Sequence, residues 1–146
     1  MANQLTVYTE TLINASTSKV WEVLVNPRYV AQWDELPEDY PKEHMTVGSK
    51  VVWNTPNGEQ SITSISKADP EKELVIDLYG TSWTVKPREG EVAYHYKLVV
   101  NEGNQTLLKI SIGDFSIIED GHMYYDASVE FAEDAKTKIK ELAESL

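Results

Sequence analysis

Leu12-Ile13-Asn14-Ala15-Ser16-Thr17-Ser18-Lys19-Val20-Trp21-Glu22-Val23-Leu24-Val25-Asn26-Pro27-Arg28-Tyr29-Val30-Ala31-Gln32-Trp33 is the stretch that decides the fold. It begins at the end of an alternating strand, in which Val7, Thr9, Thr11 and Ile13 share one face. Ser16 or Ser18 caps a helix that starts at once, and Val20, Trp21, Val23 and Leu24 give it a helix-spaced apolar stripe. Asn26-Pro27 ends that helix, because a residue before proline is pushed out of the helical region. Pro27 then fits the first turn of a second short helix that ends near Trp33.

Composition bounds the rest. A chain of 146 residues, 41% hydrophobic and 25% charged, is expected to form one ordinary globular domain over 1–146. No apolar run approaches the ~18 residues that cross a bilayer, and no signal peptide is visible, so a cytoplasmic protein without membrane insertion is expected. The absence of cysteine excludes disulfides, thiol catalysis and cysteine-bound zinc. With 24 acidic against 13 basic residues the net charge is −11, and no basic cluster offers a nucleic-acid surface.

Beyond Trp33, the acidic, proline-bearing segment Asp34-Glu35-Leu36-Pro37-Glu38-Asp39-Tyr40-Pro41 reads as an irregular connection. Strands are then expected at 51–54, 61–66, 74–79, 92–100 and 106–112. Pro56-Asn57-Gly58, Asp69-Pro70 and the run from Asn101 to Gln105 mark turns between them. Short links between consecutive strands make an antiparallel meander. The chain closes with an amphipathic helix, whose apolar stripe runs through Tyr125, Ser128, Phe131 or Ala132, Ala135, Ile139, Leu142, Ala143 and Leu146. Asp120 or a nearby polar residue is the candidate cap, and Gly121 leaves the helix start open. The concave face of the sheet is the natural place for that stripe. The fold class is thus α+β: a curved antiparallel sheet around a long C-terminal helix, with two short helices after the first strand.

This order resembles the helix-grip fold of the START and Bet v 1-like superfamily (SRPBCC). In particular it resembles the branch of the C-terminal domain of the heat-shock-protein-90 ATPase activator. Val20-Trp21, Asn26-Pro27, Trp33, Val47-Gly48-Ser49, Pro56-Asn57-Gly58 and Asp69-Pro70 followed by Leu74 carry the likeness. Many relatives have a Gly-Trp pair in the last helix where this chain has Phe131-Ala132, and the segment 79–87 also departs from the family core. The resemblance implies a ligand cavity between the sheet and the C-terminal helix.

Aromatic residues fit such a cavity. Trp33, Trp53, Tyr79, Trp83, Tyr94, Tyr96, Tyr124, Tyr125 and Phe131, with Ser128 and Asp114, are the candidate lining residues. On the fifth of the six strands, Tyr94, Tyr96 and Leu98 share one face and Ala93, His95 and Lys97 the other. Tyrosine offers a wide apolar surface and a hydroxyl that needs a partner when buried, which suits a small lipophilic molecule that is aromatic or polyketide-, flavonoid- or lipid-like. Filling of the core by the same rings is the competing reading.

Signals for catalysis are sparse. His44, His95 and His122 lack metal-ligand spacing, so no metal and no cofactor is expected. Asp114 continues the face of Leu108, Ile110 and Ile112, and stands either as an inward carboxylate with a raised pKa or as a solvated strand-end aspartate. Three functions remain. The first is non-catalytic ligand binding. The second is a co-chaperone-like module with a protein partner such as a chaperone, against which stands the lack of the eukaryotic activator's additional N-terminal domain. The third is a cyclase- or hydrolase-type enzyme using Asp114 or His95.

Overall fold

The computed structural model describes residues 5–34, 36–37, 40–54, 56–84 and 86–146. Strand β1 (Val7–Ile13) leads into helices α1 (Thr17–Val25) and α2 (Pro27–Trp33). Five strands follow: β2 (Lys50–Asn54), β3 (Gln60–Asp69), β4 (Glu73–Gly80), β5 (Ala93–Asn101) and β6 (Gln105–Gly113). A single 3-10 turn at Phe115–Ile117 then precedes helix α3 (Gly121–Ser145). The strands form one antiparallel sheet in the order β1-β6-β5-β4-β3-β2. The helix-grip architecture expected from the sequence is therefore the architecture observed.

The helix boundaries follow from the residues that cap them. Ser16 accepts a hydrogen bond from the Lys19 backbone N–H at the start of α1. Asn26 closes α1 through its backbone N–H and opens α2 by accepting from Arg28 N at 3.1 Å, with Pro27 in the first helical turn. Two helices thus share one capping residue, which fixes the sharp change of direction between them.

Strand β3 is longer than the sequence suggested. Pairing with β4 continues to Asp69 opposite Glu73, because an irregularity between Ile65 and Lys67 shifts the register without ending the ladder. Helix α3 begins at Gly121, after Asp120, whose left-handed backbone gives no side-chain cap. Gly121 is required there: a Cβ at this position would collide with the Phe115 carbonyl oxygen.

Packing divides the concave face into two halves. Helix α3 buries Ser128, Ala132, Ala135, Ile139 and Ala143, and packs against β1, β6, α1 and α2. Small side chains at four of these five positions let the helix lie close to the sheet. Ile13, Leu108, Ile110 and Ile112 fill the layer beneath it. The other half, over β2 to β4, is roofed by α2 together with Leu36, Met45 and Ser49 of the connection that follows. Leu146, expected on the apolar stripe, is exposed at the end of the chain.

Candidate functional site

The roof begins with α2. Its last residue, Trp33, is 3% exposed, and its indole N–H donates to the Val23 carbonyl at 2.8 Å, so the ring is held against α1. The connection after α2 is tied down by Met45 N to Val25 O (2.8 Å) and by Ile65 N to Ser49 O (2.9 Å). Between this roof and the sheet lies a cavity of about 150 Å³. Val30, Trp33, Asp34, Leu36, Met45 and Ser49 form its upper wall. Its floor is Val51 and Trp53 of β2, Ser61, Thr63 and Ile65 of β3, Ile76 and Leu78 of β4, and Tyr94 and Tyr96 of β5.

Strand register explains the floor. Trp53 pairs with Ser61, Val51 with Thr63, Thr63 with Leu78, Ile65 with Ile76, and Ile76 with Tyr94. Partners across antiparallel strands point to the same face, so these pairings carry one inward row from β2 to β5. Ser61 and Thr63 are small, and Gly80 pairs with Ser61, which leaves space where larger residues would have filled it.

Sequence expectations divide at this site. Of the sequence candidates, Trp33, Trp53, Tyr94 and Tyr96 are among the residues that line this cavity. Phe131 of α3 is not among the lining residues but meets two of them, its ring 6.5 Å from that of Trp33 and 5.8 Å from that of Tyr94. The cavity itself lies under α2 and the segment after it, not between the sheet and α3, because α3 packs directly on β1 and β6. Val30, Asp34, Leu36, Met45 and the inward residues of β3 and β4 were not foreseen. The alternation Ser61, Thr63, Ile65 was the available signal, hidden by the mixed polarity of that strand.

Tyr79, Trp83 and Tyr124 stand elsewhere, in a second aromatic group. Trp83 meets Tyr79 and Tyr124 edge to face, with ring centroids 5.9 and 5.6 Å away, and its N–H donates to the Tyr124 hydroxyl at 3.1 Å. Phe115 stacks on Tyr124 at 5.9 Å. This group fastens the loop after β4 to the first turn of α3. Tyr125 packs half-buried against the core, and Ser128 is buried on α3. None of these five sequence candidates (Tyr79, Trp83, Tyr124, Tyr125, Ser128) is among the residues lining the cavity.

Asp114 also has another place. It caps the 3-10 turn, accepting from Leu5 N and Ser116 N at 2.9 Å each. Partial burial raises its pKa, but the hydrogen bonds from Leu5 and Ser116 outweigh this and hold the carboxyl below its ordinary value. That is the reverse of the raised pKa an inward catalytic acid would need. His95 lies on the opposite, convex face, between Val75 and Ser111. Neither group considered for acid–base work reaches the cavity.

Within the cavity the titratable groups are Asp34, Tyr94 and Tyr96. Burial raises both phenols, and the negative charge of Asp34 raises them further. Both tyrosines are therefore neutral hydroxyls across the physiological range, able to donate or accept a hydrogen bond. Among the described residues, no group of three or more His, Asp or Glu side chains is placed to hold a metal ion, and no helix is long and apolar enough to cross a membrane.

Comparison with known proteins agrees with this architecture. Among solved structures, a protein of Mesorhizobium loti superposes with a TM-score of 0.71 at 16% identity, over 96% of this chain and 97% of its own. A protein of Arthrobacter aurescens gives 0.64 at 19% identity, over 100% and 90% of the two chains. The Aha1 dimer of Colwellia psychrerythraea gives 0.63 at 17% identity, over 92% and 96%. No curated protein matches the chain in sequence. The model of one family matches residues 14–144, nearly the whole chain, and the chain belongs to that family, the activator of Hsp90 ATPase homolog 1-like proteins.

Proposed function

We propose that this protein binds a small lipophilic molecule of about one ring in the cavity beneath α2, without transforming it. The cavity carries this reading: about 150 Å³ of space bounded mainly by apolar and aromatic side chains, with Ser49, Ser61, Thr63, Asp34 and the two tyrosine hydroxyls as the polar groups that set orientation. An apolar space of roughly this volume accommodates benzene in another protein, whereas drug-sized ligands fill roughly 300 Å³ or more. The flavonoid, sterol and long-chain lipid classes therefore exceed it, and a single aromatic ring is the better match. Native mass spectrometry and thermal shift with toluene, phenol, a flavonoid and a sterol test the proposal. Saturable binding of the one-ring compounds, lost in Thr63→Leu with the fold retained, is the expected result. No binding of any one-ring compound overturns it.

A second reading comes from the family's description and one surface feature. Leu12, Leu107 and Val99 lie side by side across β1, β6 and β5 on the convex face, with Leu12 and Val99 exposed. Such a row suits a protein partner, in line with a co-chaperone-like module. Its test is the ATPase rate of a heat-shock-protein-90 chaperone with and without the protein. Stimulation lost in Leu12→Lys supports this reading, and an unchanged rate removes it.

A further inference from the structure

We infer that the open edge of the sheet, strand β2, is an interface between two copies of this chain, which pair antiparallel about Val52 and continue the sheet from one molecule into the other. The sheet has two edges, β1 and β2, and only one of them is covered. Helix α3 closes off β1: Lys140 Nζ donates to the Leu12 carbonyl, Lys136 Nζ to the Thr9 hydroxyl, and Asn14 N to the Glu144 carboxylate, each at 2.8 Å. Among the described residues, no strand pairs with the outer side of β2, and neither proline nor a bulge interrupts Lys50–Asn54. A strand edge left without such protection is a template for another strand.

Neighbouring bonds fix which groups of β2 point outward. Both backbone groups of Gln60 face away from β2: its N–H donates to the Thr81 hydroxyl at 2.8 Å, and its carbonyl accepts from Thr81 N at 2.9 Å. Ile65 N faces the other way and donates to the Ser49 carbonyl at 2.9 Å. Direction alternates along an antiparallel strand, so Ser61 and Thr63 bond to their partners Trp53 and Val51. The backbone N–H and carbonyl groups of Lys50, Val52 and Asn54 therefore point outward. Laid antiparallel with Val52 opposite its own counterpart, two β2 strands bring these groups together, and Val52 with Val52 and Lys50 with Asn54 exchange both of their hydrogen bonds.

Side chains favour a second copy as the occupant. In this register no like charges meet, and Trp53 of each molecule faces Val51 of the other on the concave side. Trp53 is 39% exposed at this edge, so the pairing covers apolar surface that a lone molecule leaves in water. On the convex side Val52 is 40% exposed and continues the row of Ile62 and Tyr79, which meets an identical row across the axis. Charge allows the approach. The chain carries a net charge of −11, yet Lys50–Asn54 and residues 60–68 contain no Asp or Glu, with Glu59 in the turn between them. Repulsion between two acidic molecules is least along such a strip. With a strand of five residues, about 17 Å long, the contact is smaller than the standard interface of roughly 1,600 Å², so a dimer of micromolar affinity is expected.

Sedimentation velocity of the natural protein, from about 1 to 300 µM, tests the inference across the range in which so short an interface dissociates. A shift from monomer to dimer is expected, and a larger dimer fraction as added salt screens the net charge. Val52→Lys is expected to raise the dissociation constant at least about tenfold, because residue 52 meets itself and the pair becomes lysine against lysine. Val52→Pro removes the outward N–H while leaving the bonds to β3, and is expected to abolish the dimer. An equimolar mixture of Val52→Lys and Val52→Glu proteins is expected to restore it, which requires residue 52 of one copy to lie against residue 52 of the other. Thermal melts check that each variant is folded. A natural protein that stays monomeric throughout overturns the inference and leaves the edge to an extended segment of a different protein. A dimer undiminished in the folded Val52→Lys and Val52→Pro proteins also overturns it, and places the contact elsewhere, such as the row of Leu12 and Val99. Neither result bears on ligand binding in the cavity.

Discussion

Trp33 and Tyr96 meet edge to face with ring centroids 5.7 Å apart, and so join the last turn of α2 to the middle of β5. This contact fixes the height of the roof above the sheet. Trp33→Ala removes the ring and its bond to the Val23 carbonyl, and is expected to cost about 3–5 kcal/mol in urea unfolding. Trp33→Phe is expected to recover part of this loss, because the apolar bulk returns but the N–H does not.

Trp53 and Tyr96 line the same cavity yet differ in what they support. Trp53 lies on the edge strand and is 39% exposed, whereas Tyr96 lies on a central strand and is 1% exposed. Trp53→Ala is therefore expected to lower stability by about 1 kcal/mol while weakening one-ring ligands severalfold. Tyr96→Ala is expected to cost about 3–5 kcal/mol and to show as a lowered unfolding midpoint before any binding is measured.

Asp114 gives a pH-dependent prediction. Its pKa is depressed in the folded protein, so its stabilisation is complete above the ordinary aspartate value and disappears as pH falls through the folded one. Asp114→Ala is expected to cost about 1–2 kcal/mol at pH 7 through loss of the cap. The gap between the variant and the natural protein should close under acid. Paired urea titrations at pH 7 and at low pH measure it.

The bond between Trp83 and Tyr124 predicts how the loop after β4 behaves. Gly80 makes room for the indole, since a Cβ there would come within 2.7 Å of Trp83 Nε1. Thr84 adds a second tie, its hydroxyl donating to Glu119 at 3.0 Å. Trp83→Ala is expected to release the loop and to speed tryptic cleavage after Arg88 by about an order of magnitude. Cleavage at the natural rate would mean that Thr84 and the turn hydrogen bonds suffice.

Local chemistry carried most of the fold in the sequence. Ser16 and Asn26-Pro27 marked the helix ends because capping depends on neighbours along the chain. The stripe on α3 was visible through Ser128, Ala132, Ala135, Ile139 and Ala143 for the same reason. The location of the cavity was not. It depends on how closely those small residues let α3 approach β1 and β6, a tertiary distance with no local signature. Asp114 shows the same limit: strand alternation put it on the inward face, but it accepts hydrogen bonds from Leu5, 109 positions away in sequence, and from Ser116. Tyr79, Trp83 and Tyr124 were recognisable as aromatic, and only the path of the loop places them with each other instead of with Trp33.

The asymmetric covering of the sheet has a consequence for how this chain can be altered. Its load is carried where α3 lies on β1 and β6, whereas the cavity is walled by β2 to β5 and α2, toward the other edge of the same concave face. Ser61 and Thr63 of β3 line the cavity and are only half-buried, whereas Val51 belongs to the hydrophobic core. Changes of size or polarity at Ser61 and Thr63 are therefore the ones expected to reshape the cavity, generation by generation or by design, while the half that folds the molecule stays as it is.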